Sequence, residues 1–337
     1  MDQASWKTES AGGSDLDSDI RHFIRTMAAA LARHSAFESA PHADQRRWAE
    51  EARAPWRQGG PPMLESRELS ISTRHGPVRA RMHRPGAGIR PGLVYLHGGG
   101  WTLFSIETHD RVMREYAARA SCCVVGVDYA LSPEHKYPVA LEQVVDVVDW
   151  LVERAAELGI DAGRLAVGGD SAGANLSVAA CLVRRDRHAS PPLRAMVLNY
   201  GAFATRCSEQ SCRRYGGPEY MLGCEEMAGY WRNYLRGNGD AEDPLACPLL
   251  AEHAGLPPAF LAVAECDILA EQSIEMCHRL RAAGVPSDCV VYRGASHSFL
   301  EAMSVAEVSN RALSDSSAWL GNTLRAGSAA ASAGTMA

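Results

Sequence analysis

Apolar positions along this chain follow two rhythms: a helical spacing near the N-terminus, then short apolar runs alternating with helical stripes beyond residue 65. Ile20, Phe23, Ile24, Met27, Ala28 and Leu31 recur every three or four residues, with Ser18 or Asp19 placed to cap the first turn. A second short helix is expected from Ala43 to Ala54, carrying Trp48 and ending near Pro55. Gly59-Gly60-Pro61-Pro62 then breaks the pattern and separates an N-terminal helical segment (1–60) from a main domain (61–325). The polar residues before Ile20 and the small residues of 326–337 read as loosely held or disordered tails.

Within the main domain, Glu68 to Thr73 and Val78 to His83 flank Gly76-Pro77 as an antiparallel pair would. Apolar runs predict further strands at Gly92 to Leu96, Cys123 to Val127, Leu165 to Val167, Ala195 to Asn199, Ala259 to Ala264 and Asp288 to Tyr292. Helical stripes at Asp110 to Arg119, Val139 to Glu157, Ala174 to Arg185 and Ile268 to Ala283 separate most of them, and another helix closes the chain. Such alternation predicts an α/β fold, a mostly parallel central sheet flanked by helices. The stretch from Tyr200 to Pro258 is too long for an ordinary loop. It holds its own amphipathic helix, with Met227, Tyr230, Trp231, Tyr234 and Leu235 on one stripe and Gly237 just past its end. An insertion there, about residues 203–250, falls where open α/β sheets bind ligands. With the N-terminal helices it is expected to form a helical cap.

Composition narrows the class of function. Hydrophobic residues make up 46% of the 337 and charged residues 22%, which suits a globular protein with a sizeable core. The net charge is −6, and the cations are nearly all arginines scattered without a basic run, so nucleic acid is excluded as a partner. No apolar run approaches the roughly 20 residues that span a bilayer. The acidic N-terminus lacks the pattern of a signal peptide, so a cytoplasmic location without membrane association is expected. On that expectation the ten cysteines read as buried free thiols, with Cys122, Cys123, Cys266 and Cys289 in or beside strand-like runs. No Cys/His grouping has zinc spacing, and no metal or organic cofactor is expected.

Gly169-Asp170-Ser171-Ala172-Gly173 matches G-x-S-x-G, a pattern short enough to arise by chance or to mark a plain helix N-cap serine. Here it follows an apolar strand and opens a helix, the setting in which a tight turn lifts a serine hydroxyl above a sheet. His97-Gly98-Gly99-Gly100-Trp101 directly follows the strand ending at Leu96. Glycines there let backbone N–H groups approach a reacting carbonyl, as an oxyanion hole requires. A phosphate loop is the competing reading, but no G-x-G-x-x-G or G-x-x-x-x-G-K-[ST] occurs anywhere in the chain. His297, after the last strand, stands where the base of such a serine belongs, and Glu265 or Asp267 after the preceding strand could orient it. Asp267 is preferred because it begins the next helix.

These motifs, with Thr108-His-Asp-Arg111, Asp128-Tyr-Ala-Leu-Ser-Pro-Glu134, Asp267-Ile-Leu269 and His297-Ser-Phe299, resemble the hormone-sensitive-lipase-like branch of the α/β-hydrolases, and within it bacterial acetyl esterases. The resemblance covers about residues 93–320 and implies an α/β-hydrolase fold. It implies Ser171 as nucleophile, His297 as base and Asp267 as acid, with the N–H groups of Gly99, Gly100 and Ala172 as oxyanion hole. Trp101, Asp170, Tyr200 and Phe203 are expected around the substrate pocket, with a core position facing away from the site as the competing reading for Trp101, and the substrate is expected to be a short-chain, acetyl-like ester. The branch commonly has Arg where Ala130 stands, Pro at Ile268 and Gly at Ser298, departures that touch local packing and not a reacting group. Relatives in the branch are often dimers, which makes a homodimer the expected assembly if the chain associates. Two other readings share the scaffold. Amide hydrolysis, as in kynurenine formamidases, would use the same triad, and the non-catalytic gibberellin receptors lack the histidine that His297 supplies.

Overall fold

A computed structural model describes residues 15–34 and 37–333. The chain begins with two helices, α1 (Ser18–Leu31) and α2 (His42–Arg53), followed by the antiparallel strands β1 (Glu65–Thr73) and β2 (Gly76–Arg84). Then come β3 (Arg90–Leu96), α3 (Asp110–Ala120), β4 (Cys123–Asp128), α4 (Val139–Arg154), β5 (Ile160–Asp170), α5 (Ala172–Asp186) and β6 (Ala195–Asn199). The insertion carries α6 (Glu209–Tyr215) and α7 (Cys224–Tyr234), and β7 (Ala259–Cys266), α8 (Ala270–Ala282), β8 (Ser287–Ser296) and α9 (Glu307–Ala333) complete the chain.

The eight strands form one sheet in the order β1-β2-β4-β3-β5-β6-β7-β8. β1 and β2 pair antiparallel with their neighbours, and every pairing from β4 to β8 is parallel. The middle strands read as unbroken apolar runs because both faces are covered: Leu93 to Leu96 and Cys123 to Val127 are all buried. After β3 the chain steps outward to β4, then returns past β3 to β5, so the direction of winding reverses at β3. Right-handed crossovers therefore place α3 on one face and α4 and α5 on the other. α9 packs on α3, and α4 packs on α5. A reversal of this kind opens a crevice at the carboxyl ends of the two strands flanking it. The glycine loop after β3 and the serine turn after β5 meet there.

The N-terminal helices are fastened to this domain by specific bonds. Asp17 caps α1, accepting from the N–H groups of Asp19 and Ile20, in place of the expected Ser18 or Asp19. Arg46 of α2 donates from Nε to the Thr102 carbonyl (2.8 Å) and from Nη2 to the Ser132 carbonyl (2.8 Å). Ile20, Phe23, Ile24 and Met27 are buried, and Phe23 meets Trp56 edge-on at 4.6 Å.

Three expectations are revised. Cys212 of α6 and Cys224 of α7 form a disulfide, with Cα atoms 6.0 Å apart, against the expectation that all ten cysteines are free. Both are only half-buried, so the burial that keeps Cys122, Cys123 and Cys266 as inert thiols does not apply to them. The closing helix runs on to Ala333, so the tail expected from 326 is helical through the described residues. At the other end, order begins before Ile20, while residues 1–14 and 334–337 lie outside the described residues. Among the described residues no helix is long and apolar enough to cross a membrane.

Candidate active site

Ser171 sits in the turn between β5 and α5 with φ 53° and ψ −116°. That conformation costs a non-glycine residue about 1–3 kcal/mol and persists only when its surroundings hold it. Here the Ser171 N–H donates to the Asn199 carbonyl (2.9 Å), and the Ala202 N–H donates to the Ser171 carbonyl (3.3 Å). A side chain on Gly169 or Gly173 would strike the Leu96 carbonyl, so the spacing of the motif records a close approach of β3 to the turn. α5 starts immediately after the serine, which brings the Ala172 N–H and the positive end of the helix to the hydroxyl.

His297 follows β8 and Asp267 follows β7, two neighbouring parallel strands whose ends bring the side chains together. The His297 Nε2 lies 3.0 Å from Ser171 Oγ, and its Nδ1 lies 2.7 Å from Asp267 Oδ2. Asp267 Oδ1 accepts the Leu269 N–H at 2.9 Å, which fixes the carboxylate on both oxygens. A carboxylate only accepts, so Nδ1 carries the proton and the Nε2 lone pair faces the serine. Burial alone would lower the pKa of the imidazole, but the charge and hydrogen bond of Asp267 outweigh it and raise it above the usual 6.5. Glu265, the other acid considered, accepts the Gly294 N–H at 2.9 Å.

The glycine loop holds its strained shape through a network of its own. Gly99 (φ 105°) and Gly100 (φ 58°) turn the backbone, and the N–H groups of Thr102 and Leu103 donate to the Gly99 carbonyl at 3.0 and 2.9 Å. His97 braces the loop. It stacks on Tyr129 at 4.3 Å, and Tyr129 Oη donates to the His97 carbonyl at 2.7 Å. Burial and the neighbouring His109 lower its pKa to about 4, so the ring is neutral at pH 7 and donates from Nδ1 to the Gly98 carbonyl (2.7 Å). Gly99, Gly100, Ser171 and His297 share the wall of one cavity of about 180 Å³.

The four residues expected around the substrate pocket do not line this cavity. Trp101 is fully buried, stacked flat on Tyr234 at 4.3 Å and tilted against Trp231 at 4.5 Å, so it anchors the insertion to the domain. Phe203 is fully buried, and its N–H donates to Gln272 Oε1. Tyr200 stands edge-on to His297 at 5.1 Å and supports the imidazole from the core side. Asp170 is buried beneath the loop, where it accepts from Tyr95 Oη (2.9 Å) and lies 3.3 Å from His109 Nε2. Burial opposes the Asp170 charge, but the His109 partner holds its pKa below the usual carboxylate range. Large aromatic rings gain most from complete burial, and in this molecule that preference wins over the pocket. The cavity is instead walled by Ile24, Met27 and Leu31 of α1, Arg53 of α2, Leu103 and Phe104 of the loop, and Tyr220, Met221, Met227 and Tyr230 of the insertion. The stripe from Ile20 to Leu31 and the insertion stripe with Met227 and Tyr230 are the sequence signals for this wall. Arg53 carried none. Among the described residues no cluster of three or more His, Cys, Asp or Glu side chains is arranged to hold a metal ion.

Residues 93–301 match the model of a family described by its alpha/beta hydrolase fold. The chain belongs to the α/β-hydrolases. Its place is in their hormone-sensitive-lipase-like branch. Over 256 residues it is 35% identical to an acetyl esterase of Salmonella choleraesuis, covering 75% of this chain and 79% of that protein. A hyperthermophilic esterase from Pyrobaculum calidifontis shares 35% identity at a TM-score of 0.85, over 91% of this chain and 98% of the other. A thermostable esterase from Pseudomonas putida superposes with a TM-score of 0.86 at 27% identity, over 94% and 99% of the two chains. In this α/β-hydrolase, as the fold demands, nucleophile, acid and base candidates follow in the order serine, aspartate, histidine.

Proposed function

We propose that this carboxylic ester hydrolase cleaves short-chain acyl esters through an acyl-enzyme on Ser171. The observation that carries the reading is the continuous contact from Asp267 through His297 to Ser171 Oγ, opening on a cavity walled by Gly99 and Gly100. Ser171 attacks the ester carbonyl as Nε2 of His297 takes its proton, and Asp267 stabilises the imidazolium that forms. The carbonyl oxygen gathers negative charge facing the N–H groups of Gly99, Gly100 and Ala172, where each donor lowers the barrier by about 2.7–4 kcal/mol. His297 protonates the departing alcohol, then activates water to release the acid. Proton and acyl group are conserved at each step without a metal or organic cofactor.

Cavity size supports the short acyl chain. A cavity of about 180 Å³ is little larger than the ~150 Å³ that holds one benzene molecule. Each methylene that fits gains about 0.8 kcal/mol, while one forced into a filled site costs about 1–3 kcal/mol. Leu103, Phe104, Met221 and Tyr230 narrow the space, the role first expected of Trp101. Measuring kcat/KM along a series of p-nitrophenyl esters tests the reading. The maximum should fall between acetate and butyrate, with very low values by decanoate. A maximum at octanoate or beyond would overturn the short-chain reading, and faster turnover of p-nitroacetanilide than of the acetate ester would replace esterase with amidase.

A further inference from the structure

Arg53 ends α2, and its side chain is only 6% exposed, yet it forms part of the wall of the cavity that holds Ser171. Its Nε lies 2.9 Å from Oε2 of Glu301, close enough for an ion pair but not aligned for a hydrogen bond. Nε of Arg53 and both carboxylate oxygens of Glu301 are buried with no hydrogen-bond partner among the described residues. The guanidinium carbon sits 3.6 Å from the ring centroid of Phe104, a residue of the glycine loop. Stacking on a face leaves the in-plane N–H edges of a guanidinium free to donate. Glu301 balances the charge, but a buried N–H without an aligned acceptor is still costly, and the cost is relieved by whatever brings an oxygen into line.

We infer that Arg53 is a substrate-binding group: it donates to a second, uncharged oxygen of the ester, an ether, carbonyl or hydroxyl, and so favours oxygenated substrates over purely alkyl ones. The inference rests on the proposed role of Ser171 in this cavity. Charge decides the class of acceptor. Glu301 neutralises Arg53 at close range, and the Glu226 carboxylate on the same wall repels an anion. A neutral oxygen fits both conditions and a carboxylate does not. Much of the surrounding wall is apolar, including Ile24, Met27, Leu103 and Met221, so an oxygen placed elsewhere would be desolvated without return.

Isosteric substrate pairs test this on the whole enzyme. p-Nitrophenyl methoxyacetate and butyrate differ by an oxygen for a methylene on the acyl side; 2-methoxyethyl acetate and butyl acetate differ in the same way on the alcohol side. Comparing the ratio of kcat/KM within each pair between wild type and Arg53→Met cancels the intrinsic reactivity of the esters. The oxygenated member should lose at least about tenfold relative to its partner in one pair, the range of a hydrogen bond from a charged donor, and the pair that responds identifies the part of the substrate at Arg53. Because Arg53→Met strands Glu301, the neutral double variant Arg53→Met/Glu301→Gln is measured alongside and should show the same loss. Glu301→Gln alone leaves the guanidinium unneutralised and should raise activity on p-nitrophenyl hemisuccinate relative to butyrate. Unchanged ratios in both pairs, with no gain on the hemisuccinate, would overturn the inference. Wild-type hydrolysis that survives Ser171→Ala would instead overturn the assignment of the nucleophile, so the two failures are distinct.

Discussion

The floor of the cavity and its cap are built by different physics. The floor is fixed by backbone geometry and one locked side chain: Ser171 at φ 53°, glycines pressed against the Leu96 carbonyl, and two carboxylate oxygens of Asp267 each committed to one partner. Small errors there leave atoms in collision, so few residue types are tolerated at each position. The cap is side chains: α1 and α2 before the domain, α6 and α7 from the insertion, meeting the floor through Trp101 on Tyr234, Arg46 on the Thr102 carbonyl and Arg53 on Phe104. Apolar packing of that sort admits many solutions of similar volume. On the proposed reading the floor carries the chemistry and the cap the choice of substrate, so mutations in the two regions should fail in different ways.

The largest effect is expected in the floor. Asp267→Asn should lower kcat by about 10⁴, because the amide favours the wrong imidazole tautomer. Glu265→Gln should do far less, since that carboxylate holds the Gly294 N–H. Steady-state kinetics of the two variants would break the comparison if the ranking reversed. In the cap, deleting residues through Arg57 removes Ile24, Met27 and Leu31 from the wall together with the bonds of Arg46. Substantial loss of activity or aggregation should follow, read by size-exclusion chromatography and ester hydrolysis. A soluble, fully active truncation would show that this half of the cap covers nothing of consequence.

Acidity sharpens the same contrast. In the proposed mechanism His297 must be neutral to act as base, and its pKa lies above 6.5, so kcat/KM should fall about tenfold per pH unit on the acid side, with a midpoint above 6.5. Stability runs the other way for this group. The protonated His297–Asp267 pair contributes fully below pH 6.5, and its contribution is lost as pH rises through the raised value. A pH–rate profile of the free enzyme checks the midpoint. The smallest effect is expected at the disulfide. Cys212–Cys224 closes the loop that brings Tyr220, Met221 and Leu222 to the cavity. Cys212→Ser should raise KM several-fold while leaving kcat near wild type, since looser positioning of a wall weakens binding without touching the reacting groups. A fall in kcat with KM unchanged would place the loop in the floor instead.

What was legible in the sequence follows the same division. The sheet, the serine turn, the glycine loop and the order serine, aspartate, histidine were all readable, because each depends on residue types that backbone geometry restricts. Trp101, Tyr200 and Phe203 were misplaced because a pattern of aromatics does not say which way a ring points. Asp170 was misplaced because its partners, Tyr95 and His109, are remote in sequence. The disulfide was missed since Cys212 and Cys224 sit in an insertion with no strand register to bring them together. α6, only seven residues long, was missed for want of a repeating stripe. Arg53 carries no signal in the sequence, because its burial beside Glu301 comes from a contact between segments far apart in the chain.

The central claim is that Ser171 carries the acyl group. Treating the enzyme with a fluorophosphonate and mapping the adduct by peptide mass spectrometry tests it most directly, with Ser171→Ala as the paired sample. The expected result is a single modified residue, Ser171, activity lost in step with labelling, and neither label nor more than a few per cent of kcat/KM in Ser171→Ala. An adduct on another residue, or a Ser171→Ala enzyme that still turns over ester at close to the wild-type rate, would contradict it.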